Sequence, residues 1–112
     1  EVKKRGGVLG LTYIRAFLGE GIERLVEHVE HVLGLGLGEQ LCLGADFFCE
    51  LDLPNPSSRQ HRFFFEDFDT AACHQRVLEM LRPGIEPQTL QALAHGNLER
   101  WLDGRAAVLA SL

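Results

Sequence analysis

The stretch Leu41-Cys42-Leu43-Gly44-Ala45-Asp46-Phe47-Phe48-Cys49 decides how this chain is read. It is apolar except for Asp46, and it lies between Gly38 and the turn cluster Pro54-Asn55-Pro56. An apolar run this short, bounded in this way, reads as a buried strand, expected over about residues 41–48. In parallel α/β sheets, ligands and chemistry gather at the carboxyl ends of the strands. Asp46 is therefore either the working group of a site or a residue that caps the loop after the strand.

Working back toward the amino terminus, Gly6-Gly7 introduces Val8-Leu9-Gly10-Leu11-Thr12-Tyr13-Ile14. This run is β-branched and aromatic toward its end and predicts a strand over about 7–14. Gly10 within it marks a place where a neighbouring backbone packs closely. Between the two runs, Ile22, Leu25, Val26, Val29, Val32 and Leu33 fall on one stripe at helical spacing. Glu23, Arg24, Glu27, His28, Glu30 and His31 fill the opposite face, so the spacing predicts an amphipathic helix over about 21–33. Gly34, Gly36 and Gly38 stop it. Strand, helix and strand make a βαβ unit, with parallel strands and a right-handed crossover. Tyr13 stands at the matching end of the first strand, so its side chain and that of Asp46 are expected to face one mouth.

Working forward, Asp52 to Gln60 is polar and turn-rich, and His61-Arg62-Phe63-Phe64-Phe65-Glu66-Asp67-Phe68 carries four aromatics. The aromatic segment reads as a loop folded over the top of the sheet. Asp69 or Thr70 caps a helix expected over about 70–81. Pro87 occupies the first position of another, over about 87–95, which Gly96 ends. Asn97 caps a last short helix over about 97–103, and Gly104 to Leu112 reads as a frayed tail.

With 112 residues, the chain suffices for one small domain and not for two. Its 46% hydrophobic and 24% charged residues are those of a soluble globular protein. No apolar run approaches the ~20 residues of a membrane span. A net charge of −5 argues against general nucleic-acid binding, which wants a basic face. Cys42, Cys49 and Cys73 are odd in number and lack CxxC spacing, which suits a reducing, cytoplasmic compartment. Cys42 within the strand reads as a small buried thiol. The chain opens on Glu1 and its only methionine is Met80, as in a piece of something longer.

Three further groupings invite chemistry and carry little. His28 and His31 are three apart, whereas a zincin helix needs histidines at i and i+4, so Glu27-His28-Val29-Glu30-His31 reads as a solvated face. Asp67 and Asp69 precede a helix, where acids serve as caps. The glycines from Gly34 to Gly38 follow a helix and precede a strand, the wrong order for a dinucleotide loop.

Taken together, five stretches resemble the membrane (renal) dipeptidase family in order and spacing. These are Gly6-Gly7-Val8-Leu9-Gly10, then Val26-Glu27-His28-Val29-Glu30-His31, and then Leu43-Gly44-Ala45-Asp46-Phe47. Phe65-Glu66-Asp67 resembles the family's Leu-Glu-Asp, and Gly96-Asn97-Leu98-Glu99-Arg100 its Gly-Asn-x-x-Arg. The likeness runs from Gly6 to Leu102. It implies an α/β fold comprising the last two βα units of a (β/α)8 TIM-type barrel, followed by carboxyl-terminal helices. A whole barrel takes ~250 residues, so residues 1–112 would be the carboxyl-terminal fragment of a metal-dependent hydrolase.

The resemblance implies a zinc-dependent dipeptidase with two metal ions and a dipeptide substrate. Asp46 matches an aspartate that holds the substrate amino group and takes part in proton transfer. Tyr13 matches a tyrosine lining the substrate pocket. The family's metal ligands come from earlier strands, so the zinc ligands are expected upstream and the isolated fragment is expected to be inactive. Where the family has Asp-Gly after the aspartate and phenylalanine, this chain has Phe48-Cys49, a more apolar loop. The alternative reading is a non-catalytic α/β binding or interaction module that retains the scaffold. A relic without function is a third. Open sheet edges also allow a homodimer.

Overall fold

The computed structural model describes residues 1–52 and 63–112. It is mixed α/β, mostly helical, with a two-stranded parallel sheet. Strand β1 (Leu9–Thr12) is followed by a one-turn helix α1 (Arg15–Leu18), the crossover helix α2 (Arg24–Gly34) and strand β2 (Leu41–Ala45). A 3-10 turn, Ala71–Cys73, leads into α3 (His74–Leu81). Helix α4 (Pro87–Gln91) then runs through a π-helical turn, Ala92–Gly96, into α5 (Asn97–Ala110).

Both strands are shorter than the expected 7–14 and 41–48, for local reasons. Gly7 donates to the Val2 carbonyl within an amino-terminal turn, so pairing begins only at Leu9. At the other end, Ala45 and Asp46 have φ of 54° and 66°, which turns the chain out of the extended conformation. Phe47 and Phe48 thus lie beyond β2. Helix α2 keeps the expected stripe, with Leu25, Val29 and Val32 buried. Its end is a Schellman motif: Leu37 donates to Val32 and Gly36 to Leu33, with Gly36 at φ 72°. Gly34 is still helical, and of Gly34, Gly36 and Gly38 it is Gly36 whose backbone needs to be glycine.

The helical end of the chain departs further from expectation. Gly96 does not stop a helix and Asn97 does not cap one; a single rod runs from Pro87 to Ala110, accommodating one π-helical turn. Gly96 adopts ordinary helical angles, φ −60° and ψ −37°, and Gly104 to Ala110 continue as helix where a frayed tail was expected. Thr70 does stand in the extended conformation that precedes a helix, but neither it nor Asp69 makes the capping bond expected of it. Asp67, at φ 64°, lies 3.5 Å from Arg76.

Tyr13, Leu25, Val29, Leu41, Phe64, Val77, Leu81 and Leu93 form the centre of one core, fed by the sheet and the helices. Phe63 to Phe68 run without regular structure, and Phe64 is driven into that core. The Phe63 carbonyl accepts from Arg15, which binds this segment to the chain leaving β1. The expectation of an aromatic loop over the sheet holds for the described residues; His61 and Arg62, and the turn at Pro54-Asn55-Pro56, lie outside them.

The strands pair in register from Leu9 opposite Leu41 to Leu11 opposite Leu43, then slip so that Thr12 faces Ala45. The slip brings Gly44 against Gly10. A Cβ on Gly44 would lie 3.1 Å from the Gly10 carbonyl carbon and Cα, both backbone atoms that cannot swing away. A Cβ on Gly10 would meet Gly44 Cα at an ordinary 3.5 Å. Gly44→Ala is expected to cost about 2–3 kcal/mol, as overpacking does, and Gly10→Ala under about 1 kcal/mol. Urea melts of the two variants test this, and equal losses would contradict the asymmetry.

Candidate functional site

The carboxyl ends of β1 and β2 come together where the chain leaves both strands. Tyr13, the residue after β1, donates its backbone N–H to the Ala45 carbonyl at 2.9 Å, so the two strand ends are held level. Asp46 follows directly, solvent-exposed and in the left-handed region. Few non-glycine residues adopt that conformation, and those that do cluster where a side chain must be aimed.

Tyr13 and Asp46 do share one end of the sheet, yet their side chains differ in exposure. The Tyr13 ring is fully buried, and its hydroxyl lies 3.0 Å from Nδ1 of His74, the first residue of α3. Burial, reinforced by nearby Cys73, pushes the phenol well above its ordinary value of 10.0. The neutral phenol donates to Nδ1 when His74 carries its proton on Nε2, and accepts from Nδ1 in the other tautomer. The Phe47 ring stands edge-on to both, with centroids 5.7 Å from Tyr13 and 5.8 Å from His74. Phe64 closes the group, 5.6 Å from Phe47 and 5.2 Å from Phe48.

Beside this aromatic group opens a cavity of about 730 Å³, walled by Phe47, Phe48, Phe64 and Phe65, with Glu50 and Asp69 among its polar residues. That volume lies within the roughly 300–1,000 Å³ of small-molecule sites, which are mostly apolar with a few placed polar groups. The arrangement can hold an apolar group against phenylalanine side chains, with Asp69 and Glu50 in the lining for a cationic or hydrogen-bond-donating end; Glu50 also accepts from the Phe63 backbone N–H.

His74, Phe47 and Phe64 are site residues that sequence reasoning did not single out. The only signal was the density of phenylalanine after β2, and nothing local marks His74. On the far side, Glu27, Glu30 and His31 of α2 are exposed and His28 is half-buried, its Nε2 3.4 Å from the Leu18 carbonyl. Among the described residues, no three His, Cys, Asp or Glu side chains come together as a metal site would require. The described residues therefore offer no ligand set that fits zinc.

The buried thiols and phenol of this core make stability fall at alkaline pH. Desolvation raises the Cys42 and Cys73 thiols above 9.0, with Arg100 partly opposing it at Cys42, and raises Tyr13 above 10.0. In each case the unfolded chain gives up a proton that the folded chain retains. Stability is therefore complete below about pH 9 and declines as pH rises, by up to ~1.4 kcal/mol per pH unit for each group titrating. Urea melts between pH 8 and 11 should show that decline, and Tyr13→Phe should flatten it above pH 10. A flat profile would contradict the buried, protonated phenol.

The chain matches no family model, no curated protein and no solved structure with significance.

Proposed function

We propose that this chain is the carboxyl-terminal part of a zinc-dependent dipeptidase of the membrane-dipeptidase type, inactive in isolation. On this reading the βαβ unit is the last two strands of a (β/α)8 barrel, and α3 to α5 are its carboxyl-terminal helices. The observation that carries the proposal is Asp46, exposed at the carboxyl end of β2 in a left-handed backbone, level with Tyr13 at the end of β1. That is where barrel enzymes keep their working groups. Asp46 would hold the ammonium group of a dipeptide and move a proton at the scissile amide. The aromatic cavity would receive an apolar side chain of the substrate. Since the described residues do not fit zinc, the metal ligands belong upstream on this proposal.

The test is to read the coding sequence upstream of Glu1 and assay the full product. An open frame carrying His-x-Asp, a later Glu and two later histidines, with chelator-sensitive dipeptide hydrolysis, is the expected outcome. A stop codon or an unrelated domain would overturn it.

One observation favours a second reading, a non-catalytic α/β binding module on the same scaffold. The loop after Asp46 is Phe48-Cys49, and Phe48 packs on Phe63 at 5.2 Å with both rings more than a third exposed. Such a mouth suits binding an apolar segment without cleaving it. Retention of the upstream metal ligands separates the two readings.

A further inference from the structure

At the opposite, amino-terminal end of the strands lies a second cavity, of about 390 Å³. It forms where three segments meet: the turn before β1, the residues before β2, and α5. Three of its lining residues are arginines, Arg5, Arg100 and Arg105, against one carboxylate, Glu39. On a chain of net charge −5, that is a local reversal of sign. Two other lining residues, Gln40 and Trp101, each bury a polar side-chain atom with no hydrogen-bond partner: the Gln40 amide oxygen and the indole Nε1. Both atoms are closed to solvent, so they belong to the wall behind the cavity and a ligand does not reach them.

We infer that this cavity binds a small organic phosphate. Phosphate oxygens accept strongly from guanidinium N–H groups, and three guanidinium-bearing residues line this cavity. Arg105 lies over the Trp101 ring, its guanidinium carbon 5.3 Å from the centroid, so an anion drawn to Arg105 arrives beside the indole. Nη2 of Arg100 is committed to the Asn97 side chain and the Glu39 carbonyl, but a guanidinium has five N–H donors. Arg5 pairs with Glu1 in an ion pair exposed to solvent, which an incoming dianion can compete away. The volume exceeds the need of a bare phosphate and falls within the small-molecule range of roughly 300–1,000 Å³. A phosphate monoester fills that volume while its dianion meets the arginines.

Trp101 is the only tryptophan in the chain, so its fluorescence reads this cavity directly. The experiment titrates the 112-residue chain with inorganic phosphate and with glycerol phosphate at constant ionic strength, using chloride as control. A saturable change is expected with both phosphates, at lower concentration for glycerol phosphate, and none with chloride. The exposed double substitution Arg5→Gln with Arg105→Gln should weaken binding by roughly tenfold or more, as loss of charge-assisted bonds does. Its thermal melt without ligand should stay close to wild type. A non-saturating response, an equal response to chloride, tighter binding of inorganic phosphate, or unchanged affinity in the double variant would each overturn the inference.

Discussion

Asn97→Asp is expected to remove a large share of the chain's stability. Asn97 is the one buried polar residue among those described, only 1% exposed, and its amide is fully employed. The NH2 group donates to the Gly38 carbonyl at 2.7 Å and to the Leu41 carbonyl at 2.8 Å. The amide oxygen accepts from Arg100 Nη2 at 2.6 Å, and the same nitrogen reaches the Glu39 carbonyl at 3.3 Å. Asn97 and Arg100, one turn apart on α5, thus clamp three carbonyls of the segment entering β2. An aspartate has the same shape but cannot donate when ionised. It would set a charged oxygen against two carbonyls and leave both unpaired. Its new ion pair with exposed Arg100 offsets little. The loss is about 3–5 kcal/mol, against a total of roughly 5–15 kcal/mol for a domain. Asn97→Ala should cost about 3 kcal/mol and Arg100→Gln about 1 kcal/mol. Far-UV circular dichroism and urea midpoints order the three. An Asn97→Ala variant within 1 kcal/mol of wild type would contradict the clamp.

This clamp also shows where sequence reasoning stopped. An asparagine after Gly96 satisfies every local signal for a helix cap, because capping is judged from neighbours in sequence. The amide is instead spent on Gly38 and Leu41, residues 59 and 56 positions away. No local rule sees such a bond, so one continuous rod was read as two helices and a tail. The βαβ unit was legible because its signals are local and periodic: the stripe on α2 and the two short apolar runs. The strand ends were not, since the left-handed turn at Ala45 and Asp46 occurs in residues that do not advertise it. At the candidate site, position was legible and orientation was not. Tyr13 and Asp46 do end adjacent strands, but the ring of Tyr13 is buried against His74, a partner 61 residues away. The Gly10 and Gly44 contact lies between these cases, foreshadowed by a glycine within each apolar run and fixed only by the register slip.

On the proposed dipeptidase reading, Asp46→Gly in the whole protein is expected to cut activity by orders of magnitude while making the protein more stable. The two effects have separate causes. At φ 66° a residue with a Cβ is strained, and glycine removes the strain. Part of that gain is offset by the extra freedom of glycine in the unfolded chain, which leaves about 0.5–1 kcal/mol. Asp46→Asn, which tolerates the left-handed region and keeps the side-chain shape, should leave stability unchanged. If the carboxylate holds the substrate ammonium and moves a proton at the amide, both variants should lose roughly 10²–10⁴-fold in kcat/KM. A thermal melt of each variant reads the strain, and dipeptide hydrolysis reads the function. Stabilised, inactive Asp46→Gly beside neutral, inactive Asp46→Asn would mean that the chain keeps a carboxylate at a position where its backbone favours glycine. Asp46→Gly that is destabilised would contradict the strain, and Asp46→Asn that retains activity would remove Asp46 from the chemistry and favour the binding module.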